Sequence, residues 1–391
     1  MDIQELKKIK EENRLLNEKE RKEQTPICKS LPISMWIDIT TRCNINCFMC
    51  PRTYDKSFKG HDMSIEVFDK IKNTLFPTLS FVELQGYGEP MLAKNFDYFY
   101  NSAVNYGVDV RFVTNGTLLN KENMKTFIEN NTHIFISMDA PTEQTFDKIR
   151  PKANFNKIIS NIEAFYRIKA NYPNSYSNIY IMFVAMRQNI EELPQMVEFC
   201  SKLGVGFLNV SYFYVNEGIP KEHHNQILYN HKDLADNMFR AAKKRAEELN
   251  FTLNLPAFFN PENNDNVKDQ NKINEEAKST SIYPQKCFDP WAKVYVDCNG
   301  MVKPCCAYNS DVGDLNKEAF GEIWNNQKYQ KLRRKVNSNF PPLLCKECTT
   351  NNGIAKGNPK QLFDNEKGIY RLYTKAQRLK RKLGNIVRKF V

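Results

Sequence analysis

The sequence contains no long hydrophobic run. Its longest apolar stretch, Ile179 to Met186, has the length of a buried strand, whereas a membrane-spanning helix needs roughly 18 consecutive apolar residues. The N-terminal stretch up to Gln24 mixes charges of both signs without an apolar core, so it does not form a secretory signal. Cysteine is frequent, with 11 residues, and in a chain without an export signal this favours a reducing compartment, where thiols more often bind metals than form disulfides. We therefore expect a cytoplasmic protein.

The sequence also lacks a net positive charge spread along its length. The formal net charge is +11, but residues 361–391 contain nine Lys and Arg against two acidic residues and carry +7 of it. An enzyme that acts on nucleic acid more often spreads basic residues over its working face, so we expect no nucleic-acid partner. Apolar residues recur every three or four positions in this tail. The pattern predicts a basic amphipathic helix that contacts either an anionic membrane surface or the protein's own barrel.

Six β-rich runs alternate with amphipathic helical stretches between Ser34 and Tyr214, which is the pattern of repeated βα units. The predicted strands are Met35–Thr40, Phe81–Gln85, Asp109–Thr114, His133–Asp139, Ile179–Met186 and Phe207–Tyr214. Parallel strands joined by right-handed crossovers close or partly close into a barrel. The predicted fold is therefore α/β, with a partial (β/α)6 barrel.

Unusual polar or glycine-rich groups follow the predicted strands. CNINCFMC follows the first strand, GYGEP the second and TNGT the third, while the fourth ends in SMD and the fifth in MRQN. The carboxyl ends of parallel strands lie at one rim of a barrel, and that rim carries the active site. We expect these groups to lie close together.

Cys43, Cys47 and Cys50 form a triplet without a fourth cysteine nearby. Zinc is one interpretation because thiolates bind it well, but structural zinc sites have four ligands, usually in two close pairs. A Cys-x-x-x-Cys-x-x-Cys loop can instead bind three corners of an iron–sulfur cubane. One iron then keeps an open coordination position, which is typical of a metal that takes part in chemistry.

This triplet, together with GYGEP at the next strand end, resembles the radical S-adenosylmethionine (SAM) superfamily. The resemblance implies a 4Fe-4S cluster whose open iron binds the amino and carboxylate groups of SAM. Reductive cleavage of SAM then gives methionine and a 5′-deoxyadenosyl radical, which abstracts a hydrogen atom from the substrate. An external electron donor such as flavodoxin or ferredoxin is implied as well.

The resemblance also assigns residues. Cys43, Cys47 and Cys50 match the cluster ligands. The candidates for SAM binding are Gly86, Gly88, Glu89, Pro90, Asn115, Ser137, Asp139 and Arg187. The first four match the GGEP turn, which in the family holds the SAM amino group, while Ser137 and Asp139 match positions that contact its methionine or ribose portion. Met49 is a departure from the family, since an aromatic residue often precedes the last cysteine.

A second group of cysteines lies near the C-terminus and resembles the SPASM and Twitch extensions of radical SAM enzymes. The full SPASM spacing is missing, so we expect one auxiliary 4Fe-4S cluster. Its predicted ligands are Cys287, Cys305, Cys345 and Cys348, with a zinc ribbon on the same residues as the alternative. Cys298 and Cys306 are then left over, although Cys306 is an alternative to Cys305. Cys28 and Cys200 are interpreted as ordinary cysteines.

These features divide the chain into five segments. We expect a charged helical leader (1–33), a radical SAM partial barrel (34–259), a polar linker (260–283), a small auxiliary-cluster domain (284–350) and a basic amphipathic tail (351–391). The leader is shorter than the folded leader-recognition domain of many peptide-modifying relatives, and this weighs against a peptide substrate.

The expected function is dehydrogenation, or a related modification, of a carbohydrate or other small molecule. A closed four-cysteine cluster suits this reaction because it can accept the second electron of an oxidation. One alternative is a peptide or protein maturase that forms a cross-link or a formylglycine-type product. A non-catalytic iron–sulfur carrier is another, but it needs no SAM site. Candidate pocket residues are Tyr212, Tyr214 and Asn216, whereas no chemistry and no catalytic base is assigned to His223, His224 or His231.

Overall fold

The computed structural model describes residues 2–55, 58, 60–214, 219–260, 286–306, 308, 310–342 and 345, and ten strands in these ranges form one sheet. The strands are β1 Ser34–Ile37, β2 Phe81–Leu84, β3 Asp109–Thr114, β4 His133–Ser137, β5 Asn178–Ala185, β6 Leu208–Tyr212, β7 Leu253–Asn254, β8 Lys293–Val296, β9 Met301–Lys303 and β10 Gly313–Asp314. The helices are α1 Ile3–Glu23, α2 Pro51–Tyr54, α3 Ile65–Leu75, α4 Phe96–Asn105, α5 Lys121–Glu129, α6 Glu143–Ile149, α7 Phe155–Lys169, α8 Leu193–Leu203, α9 Lys232–Glu248, α10 Asp289–Ala292, α11 Phe320–Trp324 and α12 Gln327–Lys335. Short 3₁₀ helices lie at Pro90–Leu92, Ile190–Glu192, Lys221–Gln226 and Leu228–His231.

Parallel pairing organises the sheet. The strand order is β10-β9-β8-β1-β2-β3-β4-β5-β6-β7, and each neighbouring pair from β8 through β7 is parallel. This confirms the predicted α/β class with a parallel core. The six predicted strands correspond to β1–β6 and omit β7 to β10. β7 is too short to show a periodic pattern, and β8 joins the sheet from the distant cysteine-rich segment.

Helix α3 shows how the sequence builds the layer outside the sheet. Ser64 begins the helix, because its hydroxyl accepts a hydrogen bond from the backbone N–H of Val67 at 3.2 Å. The buried residues of α3 lie on one face of the helix, and they are Val67, Phe68, Ile71 and Leu75. They belong to the same core cluster as Met35 and Ile37 of β1. Trp36, between those two, points to the opposite face and is partly exposed.

The cysteine-rich segment extends the barrel sheet. Strand β8 pairs with β1 from Ser34 opposite Lys293 to Ile37 opposite Val296. Strand β9 then returns antiparallel, with Lys303 opposite Tyr295. The chain that precedes β8 and the chain that follows β9 therefore lie at the amino end of β1. The cysteine triplet follows the carboxyl end of β1, so the two cysteine groups lie toward opposite ends of this strand.

The N-terminal helix α1 is attached to the cysteine-rich segment. Asn17 is buried, and its amide donates hydrogen bonds to Ser30 Oγ at 3.1 Å, to the Leu31 carbonyl at 3.3 Å and to the Trp291 carbonyl at 2.5 Å. The Trp291 indole in turn donates to the Thr25 carbonyl at 2.7 Å. The helix predicted in the leader is present, and its buried face contributes to the fold.

Two predicted segments lie largely outside the described residues. These are the tail (351–391) and, apart from Asn260, the linker (260–283). In the part of the chain that the structure describes, no helix combines the length and the apolar character needed to cross a membrane.

Replacing Asn17 with Ala is expected to lower the free energy of unfolding by about 1–3 kcal/mol, because it leaves the buried Trp291 carbonyl without this donor. Urea unfolding followed by tryptophan fluorescence measures the change. Glu12→Ala, on an exposed position of the same helix, is the control and should change stability by less than about 0.5 kcal/mol. Equal stability of the two variants would contradict a structural role for the Asn17 contacts.

Candidate active site

A cleft opens at the carboxyl ends of the central strands, where the sequence predicts the functional rim. It is lined by residues from the loop that follows β1, from the GYGEP loop after β2, from the ends of β3 and β4, and by Arg150 at the end of α6. The predicted site residues that line it are Cys43, Cys47, Cys50, Gly86, Gly88, Glu89, Asn115 and Ser137. The expected convergence therefore agrees with the structure for the first four motifs, whereas MRQN contributes no residue to the lining.

The cysteine loop makes a compact turn before helix α2. The backbone N–H of Cys50 donates to the Cys47 carbonyl at 3.1 Å, and Pro51 occupies the first helical position, where a missing N–H costs nothing. Cys47 is buried, and burial raises the pKa of its thiol to about 11. Burial also raises the pKa of Cys50. A thiolate at either position therefore needs a positive partner.

The donor set fits a cluster better than a single ion. Among the described residues, no three His, Cys, Asp or Glu side chains converge as ligands of one metal ion would. Each thiolate of a cubane binds a different iron, so the ligands of a cluster lie farther apart than those of one zinc ion. Cys43, Cys47 and Cys50 all line the cleft, and three cysteine donors are the ligand type that binds three corners of a cluster, beside one edge of the cleft.

That edge is formed by two glycines of GYGEP. A Cβ on Gly86 would lie 2.1 Å from Cγ of Asp38, and a Cβ on Gly88 would lie 2.1 Å from the Thr40 carbonyl oxygen. A side chain at position 86 would therefore require Asp38 to move, and a side chain at position 88 would require the backbone to move. The loop after β2 therefore packs directly on the loop that leads to the cysteines, and glycine is required for this close approach.

Glu89 is held by strand β3. Its carboxylate accepts hydrogen bonds from the Thr114 hydroxyl and from the Asn115 N–H, both at 2.7 Å. The residue is only 2% exposed, and burial raises its pKa to about 7, against the effect of these donors. Its predicted role toward the SAM amino group stays a prediction, and the structure adds a contact that fixes the GYGEP loop to β3. Pro90 begins the 3₁₀ helix that follows and does not contribute to the lining.

Asn115 ties β3 to the cysteine loop. Its amide nitrogen donates to Asn44 Oδ1 at 2.8 Å and lies 3.9 Å from Cys43 Sγ. Asn44 in turn donates to the Thr117 hydroxyl at 2.8 Å, and that hydroxyl donates to Asn115 Oδ1. This closed set of hydrogen bonds positions the first cysteine from the neighbouring strand end.

Arg150 is a site residue that the sequence analysis missed. Its guanidinium is buried, donates to Asp139 Oδ2 at 2.6 Å and to Cys47 Sγ at 3.2 Å, and lines the cleft. The signal that could have identified it is its position in the chain, since Arg150 ends α6, the first helix after the SMD motif. Asp38 was missed too, although an acidic residue in the run MWIDIT is unusual.

The structure does not bring every predicted cofactor residue to the cleft. Asp139 is fully buried, and its other carboxylate oxygen accepts from the Val184 N–H at 2.7 Å. Arg187 is exposed and pairs with Glu191 at 2.7 Å. Neither residue lines the cleft, so their direct contact with SAM stays a prediction. Asn189 supports Asp139 by donating to its backbone carbonyl at 2.9 Å.

The second cysteine group is described in part. Cys287, Cys305 and Cys345 are partly buried, whereas Cys348 lies outside the described residues. The Asn337 side chain accepts a hydrogen bond from the Cys287 backbone N–H at 2.8 Å and donates one to the Cys287 carbonyl at 3.0 Å. Cys298, at the other end of β8, is buried with its sulfur 3.3 Å from His61 Nε2.

The remaining cysteines differ in exposure. Cys306 is exposed, and Cys28 and Cys200 are buried, in line with their interpretation as ordinary cysteines. Burial raises the pKa of the Cys28 thiol to about 11 and that of Cys200 further. Such thiols are inert at neutral pH.

The described pocket candidates, Tyr212 and Tyr214, do not line the cleft. Tyr212 is buried and its hydroxyl donates to the Ala257 carbonyl at 2.7 Å, while Tyr214 is exposed and Asn216 lies outside the described residues. His223, to which no chemistry was assigned, stacks on Phe48 of the cysteine loop at a centroid distance of 3.9 Å. It supports the loop from the side of the 3₁₀ helix Lys221–Gln226.

Replacing Gly88 with Ala is expected to displace the chain before Cys43, because the new methyl group would meet the Thr40 and Arg42 carbonyl oxygens at 2.1 and 2.8 Å. After anaerobic reconstitution we expect a loss of about four irons per chain, the content of one 4Fe-4S cluster. Gly321→Ala is the matched control, since a Cβ there meets nothing within 4 Å. Equal iron contents would show that the close approach at Gly88 is not needed.

Asp38→Asn tests a buried carboxyl group. Burial raises the pKa of Asp38 to about 7. The contribution of this carboxyl group to the free energy of unfolding is therefore fully present below the unfolded pKa near 4, and it is lost as the pH rises through 7. The neutral amide should therefore gain stability relative to the native chain between pH 5.5 and 8.5, measured as urea midpoints. Asp97→Asn, at an exposed position on α4, should show no such trend. If the difference in urea midpoint between Asp38→Asn and the native chain did not change with pH, the raised pKa of Asp38 would be contradicted.

Comparisons with known proteins agree with this geometry. Residues 37–200 match the family described as the radical SAM superfamily, and residues 287–349 match an iron-sulfur cluster-binding domain of the SPASM type. The cofactors predicted from the sequence are therefore confirmed: a SAM-binding 4Fe-4S cluster, an auxiliary cluster and SAM.

Two curated relatives are similar over most of the chain. The tungsten-containing aldehyde ferredoxin oxidoreductase cofactor-modifying protein of Pyrococcus furiosus is 24% identical over 326 residues, which cover 81% of this chain and 86% of that protein. The AdoMet-dependent heme synthase of Methanosarcina barkeri is 24% identical over 304 residues, which cover 76% and 83%.

A solved structure shares the fold. SuiB of Streptococcus suis bound to S-adenosylmethionine superimposes with a TM-score of 0.57 at 16% identity, covering 82% of this chain and 71% of SuiB. SuiB has also been solved bound to its precursor peptide SuiA. With its cysteine triplet, glycine-edged cleft and second cysteine group, the chain belongs to the radical SAM superfamily and carries a SPASM-type iron–sulfur domain.

Proposed function

We propose that the protein is a radical SAM oxidoreductase that dehydrogenates an unactivated C–H position of a small polar molecule, with carbohydrates as the substrate class. The observation that carries the proposal is the convergence of the cysteine triplet with the glycine edge and Arg150 in one cleft. When bound there, the cluster and SAM supply a 5′-deoxyadenosyl radical that removes a hydrogen atom from the substrate.

The chain's own residues prepare the cleft for this chemistry. Cys43, Cys47 and Cys50 bring three cysteine side chains to the cleft and would hold the cluster there. Gly86 and Gly88 let the GYGEP loop pack directly against the chain that leads to the cysteines, so both loops line the same cleft. The hydrogen bond from the Asn115 amide to Asn44 holds the cysteine loop, and the hydrogen bond that Glu89 accepts from the Asn115 N–H holds the GYGEP loop. Both loops are therefore positioned before any ligand binds. Preorganisation of this kind limits side reactions of a radical.

The second cysteine group supports an oxidation in particular. Loss of a hydrogen atom leaves a substrate radical, and loss of one proton and one further electron completes a dehydrogenation. A cluster held by Cys287, Cys305, Cys345 and Cys348 would supply an acceptor for that electron. Cys287 and Cys305 lie on the segment that pairs with β1, so this domain is built into the same sheet as the cleft. The five-segment division of the chain and the ligand set Cys287, Cys305, Cys345 and Cys348 are part of this proposal.

A second candidate function is maturation of a peptide or cofactor. The curated relatives favour it, since one is named a cofactor-modifying protein and another a heme synthase. The same hydrogen abstraction serves both candidates, so the substrate distinguishes them. A non-catalytic electron carrier is disfavoured, because a carrier has no use for the glycine-edged cleft beside the triplet.

Two partners belong to the proposal. An external one-electron donor, flavodoxin or ferredoxin, must reduce the cluster before each SAM cleavage. The basic tail, which lies outside the described residues, is proposed to hold the enzyme at an anionic membrane surface, close to lipid-linked carbohydrates.

Three cysteine variants test the function. In reconstituted enzyme with dithionite and SAM, Cys47→Ala should abolish 5′-deoxyadenosine release, because it removes a ligand of the SAM-binding cluster. Cys305→Ala should retain the release but lose formation of a product two hydrogens lighter than the substrate, measured by mass spectrometry on a panel of deuterated sugars and sugar nucleotides. Cys200→Ala, at a buried position on α8, should retain both activities.

The outcomes separate the alternatives. Deuterium transfer from a peptide, and from no member of the sugar panel, would overturn the carbohydrate assignment and favour a maturase. Absence of 5′-deoxyadenosine from iron-replete native protein would favour the carrier. Full dehydrogenation by Cys305→Ala would show that the auxiliary cluster does not accept the second electron.

A further inference from the structure

The contact between Arg150 and Cys47 is not explained by the proposed reaction. The guanidinium lies 3.2 Å from Cys47 Sγ through Nη1, while its Nε is 2.6 Å from Asp139 Oδ2. The Arg150 side chain is 9% exposed and that of Asp139 is fully buried. A buried, charge-assisted pair of this geometry has little freedom to move.

Asp139 is itself fixed by strand β5 and by the loop that follows β5. Its Oδ1 accepts from the Val184 N–H of β5 at 2.7 Å, and its carbonyl accepts from the Asn189 amide at 2.9 Å. Asn189 also donates to the Val184 carbonyl at 2.9 Å. The sheet therefore orients Asp139, Asp139 orients Arg150, and Arg150 points one N–H at a single sulfur of the triplet.

The guanidinium of the other arginine of the cleft donates to no sulfur of the triplet, although the backbone of Arg52 is hydrogen-bonded to Cys50. The guanidinium of Arg52 also belongs to the lining, but it donates to the Ile45 carbonyl. Cys43 is approached by the neutral Asn115 amide at the longer distance of 3.9 Å. Among these neighbours, the cationic hydrogen bond is therefore directed to Cys47.

We propose that Arg150 is a positioning residue that donates a hydrogen bond to the Cys47 thiolate and thereby raises the reduction potential of the SAM-binding cluster. A cationic donor withdraws electron density from a ligating sulfur, which favours the reduced cluster. Asp139 fixes the direction of the donor. The proposal rests on cluster binding by the triplet and does not depend on the identity of the substrate.

The experiment compares midpoint potentials in reconstituted full-length enzyme by EPR-monitored redox titration. The relevant signal is the one that changes when SAM is added. Arg150→Gln should lower the ratio of reduced to oxidised cluster at a fixed potential at least tenfold, which corresponds to about 59 mV for one electron. The shift should already be present without SAM, because the donor acts on a cysteine ligand.

Two arginine controls separate the hydrogen bond from the charge. Arg52→Gln removes the same charge from the same cleft without removing a bond to sulfur, so it should shift the potential by less than half as much. Arg245→Gln, on the outer helix α9, should leave the potential unchanged. Equal shifts for Arg52→Gln and Arg150→Gln would overturn the proposal, since charge alone would then explain the effect.

A fold-preserving variant covers the case in which Arg150→Gln does not fold with Asp139 left unpaired. The double variant D139N/R150M replaces both charges and keeps an amide oxygen for the Val184 N–H. It should show the same fall in potential as Arg150→Gln with full iron content. A native potential in this variant would overturn the proposal.

Discussion

Strand β1 has a parallel neighbour on each side, and both cysteine groups depend on that pairing. β2 brings the GYGEP loop beside the triplet, while β8 joins the cysteine-rich segment to the same sheet. A slip of one residue would turn Met35 and Ile37 out of the core, because strand side chains alternate between faces. Burial of these two side chains therefore fixes the register, and the register fixes how the loops around the cleft meet.

The buried carboxyl groups around the cleft are stabilised in two ways. Asp38 and Glu89 are buried carboxyl groups whose surroundings supply backbone N–H and hydroxyl donors, and burial raises the pKa of each to about 7. Asp139 is instead paired with Arg150 at 2.6 Å. The first arrangement holds loops together near neutral pH at low electrostatic cost. The second keeps a guanidinium beside Cys47, where burial alone would favour a neutral thiol.

The sequence was sufficient for the parts of the site that lie in short motifs. The cysteine triplet and GYGEP predicted both the cofactors and the rim on which they lie, since strand ends of a parallel sheet converge. It was insufficient for contacts made by residues distant in the chain. Arg150 meets Cys47 across 103 positions, and β8 meets β1 across a long separation, and no local pattern encodes either contact. Asp139 shows the same limit, because its motif position suggested a ligand contact and the structure places it beneath an arginine.

The spacing of a cysteine motif specifies ligands and leaves their environment open. A thiolate ligand is tuned by the groups that surround it, through hydrogen bonds, charge and exclusion of water. In this chain those groups come from β3 through Asn115, from β4 through Asp139 and from the end of α6 through Arg150. The barrel therefore does more than carry the loops: the ends of β3, β4 and α6 each supply a different polar group to the surroundings of the triplet. Chains that share the triplet but differ at these strand ends are expected to differ in redox behaviour, because the environment of each sulfur differs.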